Sequence, residues 1–455
     1  MINKMKIMSF ILVALAVVFV IATVFVLNGC KKKDRADGKT VITVLNYTDL
    51  TTANAAPAQK WQWDTFLAAN PDVALQKEDL YNEPFHEKAA AYAASGNVPD
   101  VLFVWPAGRS TPLHEKRLLK DLMPFIQREN LRSRYLPLVL DTSLQASGYL
   151  AMIPQALTAS HAFFVNLEVL NACGLKPAKT YDELKAQVPL LKAKGYETVI
   201  MPNKDTWVMQ SCLFSMIAGR FCGEGWENKI LSGQTKFTDS DFVAALDFIR
   251  QLYADGVLAP SSLGIDYGEG PGLFSTNKGA YYIDGDWRVG DFLTNRETGE
   301  ALFTSARQKN LMITVFPDIA GAKINKSNST VLGTGWAMSA SIPAGSERED
   351  AAWRLIKWLS GVDVETRMLV DGGLSTPSRT DIDYSKLDLE PLQIMVGNLG
   401  KEYKTATVVI DDVFHADVYN PINDGLVELG LRTKTAAQVA AETQKAFDTW
   451  KAANR

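Results

Sequence analysis

The chain has 455 residues, too long for one compact core and suited to two or three domains of ordinary size. Hydrophobic residues make up 47% and charged residues 22%, globular values that argue against a disordered chain or a multi-span membrane protein. The formal net charge of -4 lacks the basic excess that phosphate binding needs, so no nucleic-acid partner is expected.

The N-terminus speaks to the compartment. Lys4 and Lys6 form a short positive region, and from Ile7 to Leu27 the only polar side chains are Ser9 and Thr23. Leu27-Asn28-Gly29-Cys30 follows, then Lys31-Lys32-Lys33-Asp34. This order reads as an export signal over residues 1–29. Cys after Leu-x-Gly resembles the lipobox of bacterial lipoproteins, although Asn28 stands where Ala or Ser is commoner. The resemblance implies that Cys30 is acylated and becomes the first mature residue. The apolar run also has the ~20 residues that span a bilayer, so an uncleaved anchor is the alternative. Either way the globular part is expected outside the cytoplasm, tethered to a membrane. In that setting Cys212 and Cys222 could pair, or Cys173, Cys212 and Cys222 could all be buried thiols.

Residues 30–39 are charged and without apolar period, which predicts a flexible linker. Val41 to Leu45 reads as a buried strand. A helix is predicted over 61–69, a strand from Val73, a helix over 87–95 stopped by Gly96, and a strand over 101–105. Thr180-Tyr181-Asp182-Glu183 opens a helix with Thr180 placed to cap the Glu183 amide. A strand over 199–201 and helices over 240–255, 349–360 and 436–453 follow. Strands alternating with helices predict an α/β fold with a mainly parallel sheet.

Catalytic motifs fare poorly. There is no GxSxG, HExxH or Walker loop. Ser275 to Lys278 matches SxxK without its partner motifs. Asp381-x-Asp383-x-Ser385 starts like a calcium loop, but Lys386 stands where that loop needs Gly. Pro271 interrupts the Gly268-Gly270-Gly272 run. His86, His114, His161 and His415 are scattered and fit solvated or satisfied core positions. Neither cofactor nor metal is expected. Asp284 and Asp286 could form a glycosidase pair, with nothing else in support.

Several segments, in order, resemble the extracellular solute-binding proteins of family 1, the maltose-binding-protein-like receptors of ABC importers. They are Gly96 to Val101, Leu118 to Leu122, Met152 to Pro154, Phe163 to Asn166, Gly279 to Trp287, Gly373 to Arg379 and, most specific, Gly174 to Leu184. The resemblance implies a two-lobed, class II clamshell of the periplasmic-binding-protein type. Its first lobe would take residues 40–152 and 311–370, its second residues 153–310 and 371–455. Hinge crossings are expected near Pro154, near 309–315 and near 371–377. The resemblance further implies a monomeric, non-enzymatic, lipid-anchored receptor in the periplasm or on the outer face of the cytoplasmic membrane. It would bind a mono- or oligosaccharide between the lobes and deliver it to ABC permease subunits.

A sugar offers apolar C–H faces and a rim of hydroxyls, so aromatic rings beside carboxylates, amides or guanidinium groups suit it. Ligands of open α/β sheets sit beyond the carboxyl ends of strands. On that rule the candidates are Asn46, Tyr47 and Asp49, then Trp105 and Arg109, Trp207, Asp286 and Trp287, Trp336, and Arg379. The bland alternatives are that Trp336 packs beneath the hinge and that Arg109 and Arg379 form ion pairs. Trp61 or Trp63 could face the cleft; Trp353, Trp358 and Trp450 fit packing positions. Rivals for the solute are a polyamine, iron or a peptide; rivals for the role are a secreted glycosidase and a sensor subunit.

Overall fold

A computed structural model describes residues 35–36, 38–50, 52–142 and 147–454. The export segment and Cys30 lie outside these residues. The first six-stranded sheet is built on β2 (Lys39–Tyr47), an apolar run buried on both faces. β1 (Arg35–Ala36) pairs antiparallel with it, while β3 (Val73–Leu80) and β4 (Val101–Val104) pair parallel to it. The expected linker over 30–39 therefore ends earlier, because residues 35–36 already join the sheet. β5 (Met152–Pro154) lies at the other edge of this sheet.

The chain then passes through β6 (Ala156–Ala159) into the second lobe. There β7 (Ala162–Asn166), β8 (Glu197–Ile200), β9 (Gly279–Asp284) and β10 (Leu311–Thr314) form a sheet in the order β10-β7-β9-β8. β11 (Ser327–Val331) leads back to β12 (Gly335–Met338), which enters the first sheet between β4 and β5. β13 (Thr376–Pro377) and β14 (Lys404–Val408) complete a small third sheet, β13-β6-β11-β14, at the junction of the lobes.

Two expectations change. β10 pairs with β7, so residues 311–314 belong to the second sheet, and the return crossing lies between β11 and β12 rather than at 309–315. Nor are the sheets mainly parallel: β12 is antiparallel to β4, and β7 is antiparallel to both β9 and β10. The physical reason is connectivity. A strand that returns from the other lobe enters the sheet from the opposite end.

Helices pack where apolar spacing predicts. Tyr181–Lys192 begins at Thr180, whose hydroxyl accepts from the Glu183 amide at 3.2 Å. Ser240–Ala254, Glu347–Leu359 and Ala436–Ala453 follow their predicted spans closely. The first two helices start earlier than expected, at Ala55 and Glu83. Trp353 is buried against Phe125, as its helical spacing suggests. At the junction Gly333 has φ of 103°, and a Cβ there would lie 1.7 Å from the Ala156 carbonyl oxygen. Cys173, Cys212 and Cys222 are free, so Cys212 and Cys222 do not pair.

Candidate functional site

The lobes enclose a cleft of about 1760 Å³, including its open mouth. The space within it open to the centre of a water molecule is about 290 Å³, near the lower end of the ~300–1,000 Å³ of ordinary small-molecule pockets.

The first wall grows from the carboxyl ends of β2 and β4, which the parallel pairing brings to one edge. Tyr47 and Trp105 meet edge to face, with ring centroids 4.8 Å apart. Phe103 carries the contact on to Trp336 of β12, at 5.0 Å. His86 packs on Trp105 at 4.7 Å. Asn46 donates from Nδ2 to Asp79 at 2.8 Å, leaving its Oδ1 without a partner among the described residues. Trp336 is buried, and its Nε1 likewise has no partner among them.

The second wall is held by buried polar bonds. The Trp287 indole donates to the Tyr267 hydroxyl at 2.6 Å, and that hydroxyl donates to Asp284 at 3.1 Å. Asp284 also accepts from Tyr282 at 2.6 Å and from Arg288 at 2.9 Å. Arg288 reaches Asp291 at 2.7 Å and lies 4.0 Å from the centre of the Tyr267 ring. This network fixes the angle of Trp287, and Trp207 packs on Tyr267 at 4.8 Å. Asp286 accepts from the Ala159 amide at 2.8 Å, and burial pushes its carboxyl up to about 7. Asp284 is thus committed to Arg288 and the two tyrosines, which removes it as a free partner acid for Asp286.

Asn46, Tyr47, Asp49, Trp105, Arg109, Trp207, Asp286, Trp287 and Trp336 all line this one cleft. Arg379 does not. It stacks on Tyr135 at 4.6 Å and pairs with Asp381 at 2.8 Å, because the chain after β13 turns onto the outside of the first lobe. Trp61 packs on Trp358 and Trp63 on Trp336; the helix presents Ala55, Ala58, Gln59 and Gln62 to the cleft instead. His86 lines the cleft, contrary to expectation, while His161 is a satisfied core histidine between the Cys212 carbonyl and the Phe316 amide. Burial holds both imidazoles neutral, with pKa values lowered to about 3.

Sequence reasoning missed Tyr267, Asp411 and Asp412. The acidic pair follows β14, so the strand-end rule could have found it; Tyr267 sits in a short turn and carried no signal. Asp411 accepts from Arg109 Nε at 2.6 Å across the lobes. Asp412 is buried with Oδ2 unpartnered among the described residues, and burial beside the Asp411 charge raises its pKa far above the carboxylate range. Among the described residues no group of three or more His, Cys, Asp or Glu could hold a metal, and no helix is long and apolar enough to cross a membrane.

The profile of the bacterial extracellular solute-binding proteins matches residues 48–365 of the chain. A maltotriose-binding protein of Pyrococcus abyssi is 23% identical over 304 residues, which are 65% of this chain and only 58% of that relative. Among solved structures, a chitin oligosaccharide binding protein superposes with a TM-score of 0.77 at 18% identity, covering 90% of this chain and 98% of the other. A maltose/maltodextrin-binding domain from Bdellovibrio bacteriovorus, bound to maltotriose, gives 0.68 at 16% identity, covering 90% and 99%. At such identities the structural likeness speaks for the two-lobed fold.

Proposed function

We propose that this chain, which belongs to the bacterial extracellular solute-binding protein family, is a receptor that closes on an oligosaccharide and hands it unaltered to an ABC permease. The observation that carries the reading is the pairing of aromatic walls. Tyr47, Trp105 and Trp336 stand on one lobe and Trp207 and Trp287 on the other, around one cleft. Rings on two sides suit the two apolar faces of a pyranose. Polar atoms of Asn46, Trp207, Trp336 and Asp412 that lack a partner among the described residues suit its hydroxyl rim. The binding partners of the relatives, maltotriose and chitin oligosaccharides, are of this chemical kind.

A solute that touches both walls favours the closed arrangement by its extra contacts there, which is how ligand binding drives a hinge. Acylation at Cys30 would hold the monomer on the outer membrane surface beside its permease and raise the effective concentration between them. Calorimetric titration with malto-oligosaccharides and chito-oligosaccharides tests the solute. Saturable binding to one series is expected; binding of spermidine or ferric iron with no response to either series rejects it. Palmitate labelling that persists in Cys30→Ser would remove the anchor.

A further inference from the structure

We infer that the Arg109–Asp411 ion pair closes one end of the cleft and thereby limits the length of the oligosaccharide that the receptor accepts. The inference rests on the carbohydrate reading above and adds a specificity-determining contact to it.

Arg109 lies in the turn Ala107–Ser110 behind β4, in the first lobe. Asp411 lies in the short helix Ile410–Val413, which follows β14 and packs in the core of the second lobe. Their bond of 2.6 Å therefore joins the two halves, and both side chains are mostly buried, at 13% and 6% exposure. The backbones meet as closely. A Cβ on Gly108 would lie 2.3 Å from the Asp411 carbonyl oxygen and 2.6 Å from that of Phe414. No sugar ring passes such a seam while it is shut.

Behind the seam lies a second groove. Arg109, Glu83, His86 and Trp207 line both spaces, whereas Gly108, Tyr419 and Asn423 line only the outer one. The two spaces thus share a wall in which Arg109 stands, with Asp411 on its inner side. Their chemistry differs. Tyr47, Trp105, Trp287 and Trp336 all belong to the inner chamber, where the body of a sugar chain would stack. The outer groove has none of these four, but Asn423 is buried there with Oδ1 unpartnered among the described residues. Asp412, next to Asp411 in the chain and also lining the chamber, has a buried Oδ2 without a partner among the described residues, a group suited to the last hydroxyl of a chain that ends there. Extending past that point requires parting a buried ion pair, which leaves charges without partners.

The test is a titration of wild type, Arg109→Ala, Asp411→Ala and Gly108→Ala with the two oligosaccharide series, from disaccharide to heptasaccharide. Wild type should gain affinity with each ring until the chamber is full and lose it beyond. In the variants the ratio of long-chain to short-chain affinity should rise tenfold or more. Gly108→Ala keeps the chamber-lining side chains and opens the seam by steric push alone, so it decides the matter should the charge variants bind nothing. A length profile unchanged in Gly108→Ala, or in both charge variants, overturns the gate. A wild type that binds neither series instead overturns the carbohydrate reading, and the gate with it.

Discussion

The two walls of the cleft reach the same end by different physics. On the first lobe Trp105 meets Tyr47 and Phe103 edge to face, Phe103 meets Trp336 in the same way and stacks on Tyr47, and dispersion and area burial set their angles. On the second lobe Trp287 is aimed by a chain of buried bonds through Tyr267 and Asp284 to Arg288. A packed wall yields gradually as atoms are removed. A bonded wall fails abruptly, because each broken link leaves a buried polar group unsatisfied.

That contrast can be broken first at Arg288. Arg288→Ala strands the Asp284 and Asp291 carboxylates in the core, and urea unfolding should show a loss of about 3–5 kcal/mol. A loss below ~1 kcal/mol would show that the second wall is held by packing as well. Next comes Tyr267→Phe, which removes the hydroxyl between Trp287 and Asp284 and should cost about 1–3 kcal/mol while loosening the Trp287 ring. Fluorine NMR of protein carrying fluorotryptophan, with the Trp287 signal assigned by its loss in Trp287→Phe, reads that loosening.

The paired substitutions Trp287→Phe and Trp336→Phe sharpen the comparison. The first breaks a bond inside the protein and should lower both stability and solute affinity. The second breaks none among the described residues, since the Trp336 N–H is unpartnered there, so it should weaken binding while costing less stability. Equal stability losses would erase the distinction between the walls.

The smallest effect is a pH slope. Asp286 has an ordinary value of 3.8 raised to about 7 by burial, so the folded protein keeps a proton that the unfolded chain has already released. Its contribution is fully present below the unfolded value and is lost as the pH rises through about 7. Asp286→Asn should flatten the decline in unfolding free energy between roughly pH 4 and 7. An identical slope would place the titration on other buried carboxyls such as Glu365, which stands at about 8.

The first wall was the more legible in the sequence. β2 and β4 are short apolar runs, so their ends could be placed, and with them Tyr47 and Trp105. Trp287 was found through a family-like segment, but the network behind it was not. Asp284 was weighed only as a glycosidase partner of Asp286 and Arg288 was not singled out, and nothing local tells that Tyr267, twenty residues back, supplies the oxygen for the indole. Arg379 misled for a similar reason. It ends a crossing strand, as a cleft residue would, yet the chain turns outward there. Strand direction was misread because β7 and β12 each arrive from the other lobe, which is a property of the path and not of any window of residues.

The close seat of Gly333 on the Ala156 carbonyl carries a mechanical consequence. Two connecting threads rest on each other there with no side chain between them, and lengthwise slippage would drive main chain into main chain. Turning about the point of rest moves the outer parts far while hardly disturbing the contact. For the closure proposed above the junction would serve as a bearing, and a methyl group at that spot would act as grit.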